Sequence, residues 1–201
     1  IMIFSQITGM NAIYMYTPKL LLAVGFKTKA SALLAMVIVG LVNFGTTIIA
    51  VCTIDKLGRR LLMLMAPLGM GICMLIIALG YGSEWMSPMI VLAAILLFVF
   101  FFAIGVGPGA WLVTSEIYPT KVRGRAMSIC TFSLWVSSFV ANSVFPRFLE
   151  WSRVTTFGLF TLACFAMVIF VFTCVPETKG MTLEQIEEYW RTGRNKRKRI
   201  G

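Results

Sequence analysis

The sequence predicts an all-α polytopic membrane protein, a bundle of six transmembrane helices. Three observations carry this. Of the 201 residues, 59% are hydrophobic and 13% charged, against roughly 25% charged in an ordinary soluble domain. The charges are clustered, so long uncharged stretches lie between them. Six of those stretches reach the length of about 20 residues that a helix needs to cross a hydrocarbon core about 30 Å thick. Together these exclude a soluble enzyme, a disordered protein and a secreted disulfide scaffold.

The first span covers 1–22 and is interrupted by Gly9, Asn11 and Pro18. No basic segment precedes it, so it is not a cleavable signal peptide. The sequence begins inside this span, and an N-terminal part is expected to be missing or encoded elsewhere. The second span, 30–54, carries Asn43 at its middle. The third covers 61–81. The fourth, 88–114, contains the glycine- and proline-rich run Gly105-Val-Gly-Pro-Gly109 followed by Trp111. The fifth is 126–148 and the sixth 154–175. A cytoplasmic tail is expected over 176–201. In it, Met181–Arg191 read as a short amphipathic helix with a Thr182/Gln185 capping box, followed by a basic end that suits anionic lipid.

The loops fix an orientation. The net charge is +10, and 13 of the 18 Lys and Arg lie on one side, in the loops around Arg59 and Arg123 and in the tail. The other side has Lys19, Lys27, Lys29, Arg147 and Arg153. Positive loops stay inside, which puts the first side and the C-terminus in the cytoplasm. Topology therefore accounts for the basicity, and no nucleic-acid partner is expected. There is no histidine, and the five cysteines fall within apolar stretches without a CxxC pair. Neither a metal nor a cofactor is expected, and no nucleophile–base constellation suggests an enzyme.

Three cytoplasmic motifs stand out. Asp55-Lys-Leu-Gly-Arg-Arg60 joins spans two and three, and six residues connect only adjacent antiparallel helices. Glu116-Ile-Tyr-Pro-Thr-Lys-Val-Arg123-Gly-Arg joins spans four and five, and Pro176-Glu-Thr-Lys-Gly180 follows span six. Each sets a carboxylate beside basic residues at one end of the bundle. The competing reading of the first motif is a simple anchor with snorkelling arginines. Within the spans, Gln6 and Asn11 flank Gly9, where a break would turn both toward a cavity. An amide such as Asn43 both donates and accepts, as a polyhydroxy solute requires. Helix–helix hydrogen bonding is the alternative role for all three. Gly105, Gly107 and Pro108 weaken the fourth helix at a hinge. Thr131, Trp135, Ser138 and Asn142 share one face of span five, a candidate cavity lining, with Phe132, Val136 and Phe139 away from it.

The three motifs in this order, with Gln6-Ile-Thr-Gly-Met-Asn11 and Gly105-Val-Gly-Pro-Gly-Ala-Trp111, resemble the C-terminal half of the sugar porters of the major facilitator superfamily. The resemblance covers essentially the whole chain. It implies helices seven to twelve of a twelve-helix alternating-access transporter, with a sugar or polyol as substrate, a lipid bilayer around it, and an N-terminal six-helix half as partner. It implies Gln6, Asn11, Asn43, Trp111 and Trp135 as substrate-binding residues. It also implies a cytoplasmic gate of Asp55, Arg59, Arg60, Glu116, Arg123 and Glu177. Three positions depart from the family's pattern. Ser5 replaces a second glutamine, Ala103 a glutamate of some members, and Leu134 an asparagine. A pentose, a polyol or a less polar solute is thereby as well suited as a hexose. Facilitation and proton symport remain open. A transporter-like sugar sensor and a non-functional fragment are the other readings.

Overall fold

A computed structural model describes residues 1–23, 28–82, 87–118, 122–177 and 179–180. The expected tail helix, its capping box and the basic end lie outside the described residues, as do Pro119, Thr120 and Lys121 of the second motif. In chain order the elements are α1 (Met2–Ile7), α2 (Met10–Ala23), α3 (Lys29–Leu57), α4 (Arg59–Gly82), α5 (Pro88–Phe101), a π-helical turn (Phe102–Val106), α6 (Gly107–Ile117), α7 (Arg123–Trp151) and α8 (Arg153–Cys174). Among the described residues, five continuous helical segments are long and apolar enough to cross a membrane: Leu33–Leu57, Arg59–Gly82, Met89–Ile117, Arg123–Trp151 and Arg153–Cys174.

The first expected span is two helices rather than one, and Gly9 is the reason. Its φ of +92° lies where L side chains are strained, and a Cβ there would sit 2.9 Å from the Phe160 ring. Helix α1 therefore ends with Thr8 N–H bonded to the Phe4 carbonyl, and the next helix resumes as Ile13 N–H reaches the Gly9 carbonyl. Pro18, also expected to interrupt, sits inside α2 without ending it.

The fourth span bends differently. Pro108 has no N–H to donate, and the chain ahead of it takes a π-helical turn in which Gly107 N–H reaches the Phe102 carbonyl. Gly105 lets this turn lie directly on α4: a Cβ would collide with Ala66 Cβ and stand 2.7 Å from the Leu62 carbonyl oxygen. Small residues of this kind let backbones approach where lipid supplies no hydrophobic drive.

Serine and threonine open several helices. Thr28 accepts from Ser31 N–H at α3, Ser87 from Met89 N–H at α5, and Ser152 from Thr155 N–H at α8. Helix α4 is the centre of the bundle, packed on α5, α8 and the π turn. Of its most apolar stretch 61% is buried, against 22% for α3 and 17% for α7. The core runs from Ile13 and Leu21 of α2 through Met70 and Met74 of α4 to Phe98 of α5 and Met167 of α8, all buried. The faces of α3 and α7 that this core leaves open are where solute, lipid or another helix can be met.

Gly105→Val is expected to lower the thermal unfolding midpoint in detergent, by about 1–3 kcal/mol of stability, the usual cost of overpacking. Gly40→Val, where nothing lies within 4 Å of the added carbon, is expected to leave the midpoint in place. Equal midpoints for the two variants would mean that α4 and the π turn are not in contact.

Candidate functional site

Helix α1 and the π turn face one cavity of about 330 Å³. One part of its wall is polar: Ser5 and Gln6 from α1, and Asn43 and Thr47 from α3. Phe102, Ala103 and Val106 of the π turn, Trp111 of α6 and Leu134 of α7 supply the apolar part, with Gly107 and Pro108 at the bend. Three of the five expected substrate-binding residues, Gln6, Asn43 and Trp111, thus share one cavity. The three departures from the sugar-porter pattern, Ser5, Ala103 and Leu134, line it as well.

Asn11 stands behind this wall and holds it. Its Nδ2 donates to Gln6 Oε1 at 2.6 Å and to Ser138 Oγ of α7 at 2.8 Å. Gln6 Nε2 donates to Ser5 Oγ at 3.2 Å, and Ser5 Oγ donates to the Met2 carbonyl at 2.7 Å. Asn142 Nδ2 reaches Ser138 Oγ from the other side at 3.3 Å, while its own Oδ1 is buried without a partner among the described residues. A polar chain therefore runs from α1 across the break into α7. Gln6 is pre-oriented by both of its polar atoms. Asn43 is less committed: its carbonyl and side-chain oxygens accept from the Thr47 hydroxyl at 2.8 and 3.4 Å.

The expected stripe on α7 divides. Ser138 and Asn142 turn inward into this chain, whereas Trp135 is 66% exposed and does not line the cavity. Thr131 is half-buried and apart from both. Phe132 and Phe139, placed by periodicity away from the stripe, are as exposed as Trp135. Sequence reasoning missed Thr47, although its position one turn after Asn43 was a usable signal. It also missed that Ser138 is the acceptor linking Asn11 to Asn142.

Five of the six expected gate residues gather where α3 ends and α4 begins. Arg59 Nη2 lies 2.7 Å from Asp55 Oδ1 and 3.4 Å from Glu116 Oε1, so one half-buried guanidinium ties α3 to α6. Glu177 does something else. Its carboxylate accepts from the backbone N–H groups of Arg59 and Arg60, each at 3.2 Å, and closes the N-terminus of α4. These are orphan donors at the positive end of a helix, a favourable seat for a carboxylate. Gly58, at φ +94°, makes room: a Cβ would stand 2.9 Å from Glu177 Oε2. Lys179 Nζ adds a bond to the Lys56 carbonyl at 2.6 Å.

Arg60 points to neither carboxylate. Its Nη2 donates to the Phe172 carbonyl at 2.8 Å, and its guanidinium lies over the Phe172 ring. Arg123 is not brought into the cluster: its Nε and Nη2 are buried with no partner among the described residues. Nearby, the Tyr118 hydroxyl meets Cys130 Sγ at 3.5 Å. That bond and partial burial keep the phenol protonated above its ordinary range.

Comparison with known proteins follows the same lines. Residues 1–190 match the family model described as "Sugar (and other) transporter". The chain belongs to this family. It is 36% identical over 189 residues to the arabinose-proton symporter of Bacillus subtilis, covering 94% of this chain and 40% of the relative. It is 35% identical over 196 residues to the D-xylose-proton symporter of Escherichia coli, covering 94% and 39%. It is 35% identical over 202 residues to the facilitated trehalose transporter of Bombyx mori, covering 93% and 38%. Among solved structures, the major facilitator superfamily proton:xylose symporter XylE bound to 6-bromo-6-deoxy-D-glucose superposes with a TM-score of 0.85 at 31% identity. It covers 94% of this chain and 41% of that one. The inward-open xylose transporter from E. coli gives 0.81 at 29% identity, covering 93% and 39%. The chain thus spans about two fifths of the length of these relatives. It is a multi-pass membrane protein with a partial major facilitator bundle, and its family is one of transporters rather than enzymes.

Ser138→Ala removes the acceptor shared by Asn11 and Asn142. It is expected to cost about 1–3 kcal/mol in thermal unfolding, the penalty for stranding a buried donor, with Ser138→Thr retaining most of it. A midpoint that does not move in Ser138→Ala contradicts the bridge. Glu177→Ala is expected to speed amide exchange at Arg59 and Arg60 about fivefold, corresponding to about 1 kcal/mol for a lost cap. Unchanged exchange at those two amides would remove Glu177 from the α4 terminus.

Proposed function

We propose that this chain is the C-terminal six-helix half of a transporter that moves a sugar or polyol across the cell membrane by alternating access. In this reading an N-terminal six-helix half is its partner and the Asp55 end of the bundle faces the cytoplasm. The observation that carries the reading is the cavity at the π turn, where Gln6, Asn43 and Trp111 converge. Broken helices at mid-span are how transporters present polar groups to a solute without stranding backbone in lipid. Amides from α1 and α3 offer donors and acceptors to hydroxyls, and the Trp111 indole, 43% exposed, offers a flat apolar face to a ring. The printed names of the relatives, arabinose and xylose symporters and a facilitated trehalose transporter, support a carbohydrate and leave both proton symport and facilitation open.

The apolar wall narrows the substrate. Ser5 is committed to Met2 and Gln6, and Ala103 and Leu134 offer no hydrogen bond. A solute with fewer hydroxyls, such as a pentose, meets this wall at less cost than a hexose with donors all round. At the cytoplasmic end, Arg59 held between Asp55 and Glu116 forms an ion-pair latch at the membrane edge, strong enough to hold one state and weak enough to release.

Uptake of radiolabelled glucose, xylose, galactose and inositol into transporter-deficient cells is the direct test, with the chain expressed alone and with an N-terminal half, each with and without a protonophore. Uptake is expected only with both halves. Trp111→Ala and Asn43→Ala are each expected to lower it at least tenfold with the protein still in the membrane. Failure of every solute under both conditions, with both halves in the membrane, counts against transport. Glu116→Gln is expected to favour the inward-open state and raise labelling of cytoplasmic-side cysteine probes several-fold. An unchanged labelling pattern would refute the latch.

A further inference from the structure

The protons along the polar wall of the solute cavity can be counted, and the count fixes which way one amide faces. Ser5 is buried, and its hydroxyl lies 2.7 Å from the Met2 carbonyl oxygen. A carbonyl only accepts, so the single Ser5 proton is used there. The end of the Gln6 amide that lies 3.2 Å from Ser5 Oγ must then be the donor, which makes it Nε2. Its carbonyl end, Oε1, falls 2.6 Å from Asn11. That neighbour must donate in turn, so it is Asn11 Nδ2, whose second proton goes to Ser138 Oγ at 2.8 Å. Turning over Gln6, Asn11 or both sets like against like somewhere in the row. The direction of the row is decided at its Ser5 end.

What remains uncommitted meets the solute. Gln6 lines the cavity and Asn11 does not. The Gln6 oxygen is held by Asn11, and one Nε2 proton is held by Ser5. The other Nε2 proton has no partner among the described residues. Gln6 therefore meets the cavity as a donor. Asn43 is not fixed in this way. The Thr47 hydroxyl gives its proton to the Asn43 backbone carbonyl at 2.8 Å, and the side-chain amide, at 3.4 Å, can present either end. The wall thus has one contact of set polarity and one that adapts. A second amide in place of Ser5 would carry both a donor and an acceptor and would impose neither orientation on Gln6. The serine is what decides.

We propose that Ser5 is a specificity-determining residue: it holds Gln6 as a hydrogen-bond donor, and Gln6 selects a solute by an oxygen that accepts. This rests on the carbohydrate reading of the cavity and adds to it the polarity of one contact. A ring oxygen or a hydroxyl lone pair satisfies that N–H, and a proton on the same solute atom adds nothing there. Such a contact rejects an analogue that lacks the acceptor far more strongly than one that lacks only the proton.

Competition for D-xylose uptake, in cells that express the chain with an N-terminal half, tests the polarity. The competitors are xyloses with one hydroxyl replaced by fluorine, which accepts without donating, or by hydrogen, which does neither. At the position facing Gln6, the fluoro sugar is expected to compete within about threefold of xylose. The deoxy sugar is expected to compete about tenfold more weakly, the cost of a lost hydrogen bond. Gln6→Glu puts an acceptor where the N–H stood. It is expected to weaken the fluoro sugar about tenfold more than it weakens xylose. Fluoro sugars no better than deoxy sugars at every position overturn the proposal, as do equal losses of xylose and fluoro sugar in Gln6→Glu. A second measurement uses no solute. Gln6 and Gln185 are the two glutamines of the chain. Labelling the full chain in detergent with side-chain 15N-glutamine therefore gives two amide pairs in NMR, of which Gln6→Glu removes one. Ser5→Ala is expected to shift one proton of the Gln6 pair and to speed its exchange with water about fivefold. An unchanged pair in a chain that takes up xylose overturns this proposal alone. No xylose uptake with both halves in the membrane overturns the selection by Gln6, and glucose, galactose and inositol then decide the transport reading.

Discussion

An unpaired backbone N–H or C=O has no water to turn to inside a bilayer, so a helix can be interrupted only where something else satisfies or covers the exposed groups. That constraint organises this molecule. The bundle has two departures from regular helix among its described spans, the Gly9 break and the π turn at Phe102–Val106, and each is supported from outside its own helix. The Phe160 ring covers Gly9, and Ala66 and Leu62 of α4 press against Gly105. The π turn lines the cavity itself, and α1, which ends at the Gly9 break, supplies Ser5 and Gln6 to it, so the support of the backbone and the construction of the site are one problem. Helix α4 is buried between α8 and α5 and backs the π turn. Helices α3 and α7 are half bare because they flank the opening.

How much of this was legible in the sequence depends on whether a feature is local. The apolar runs, the break at Gly9 and the weak point at Gly105–Pro108 follow from the residues themselves, since φ > 0 and a missing N–H are properties of glycine and proline. Which atoms meet is not local. Periodicity placed Thr131, Trp135, Ser138 and Asn142 on one face of α7. It could not tell that the inner two would meet Asn11 while Trp135 stayed exposed, because a face about 100° wide touches more than one neighbour. Pro18 shows the opposite error. Its residue type predicts a break, yet α2 continues through it.

The charged end teaches the same lesson. A carboxylate beside arginines reads as an ion-pair network, and for Asp55, Arg59 and Glu116 the distances agree with that reading. Glu177 instead takes the backbone donors that α4 exposes at its first turn, and Arg60 takes a carbonyl at the last turn of α8. Helix termini carry partial charges of fixed position, and they compete for side chains on nearly equal terms with formal charges whose desolvation is expensive. Motif spelling counts only formal charges, so it assigns these two residues to the wrong kind of partner. The consequence is mechanical. A latch made of side-chain pairs can separate without disturbing any helix, whereas the Glu177 cap binds the segment after α8 to the start of α4 as one body. The ion pair from Arg59 to Glu116 is then the part of this cluster suited to opening, and the cap the part suited to staying closed.

The ring of Phe160 closes the argument about the centre. It covers Gly9 on one side and lines a groove between α7 and α8 on the other, while Ser138 and Asn142 hold α7 beside it. Helix α7 therefore lies between a polar chain that fixes Gln6 and an apolar groove that borders the break placing Gln6 there. A bulky substitution at Ser138 must displace its bonds to Asn11 and Asn142, since packed interiors yield by moving whole side chains rather than by compressing. The exposed surface of α7, with Trp135, Phe132 and Phe139, has no such restraint. Those three side chains do not line the cavity, which α7 meets through Leu134, so a helix bearing on them reaches the site by way of Leu134 or Ser138.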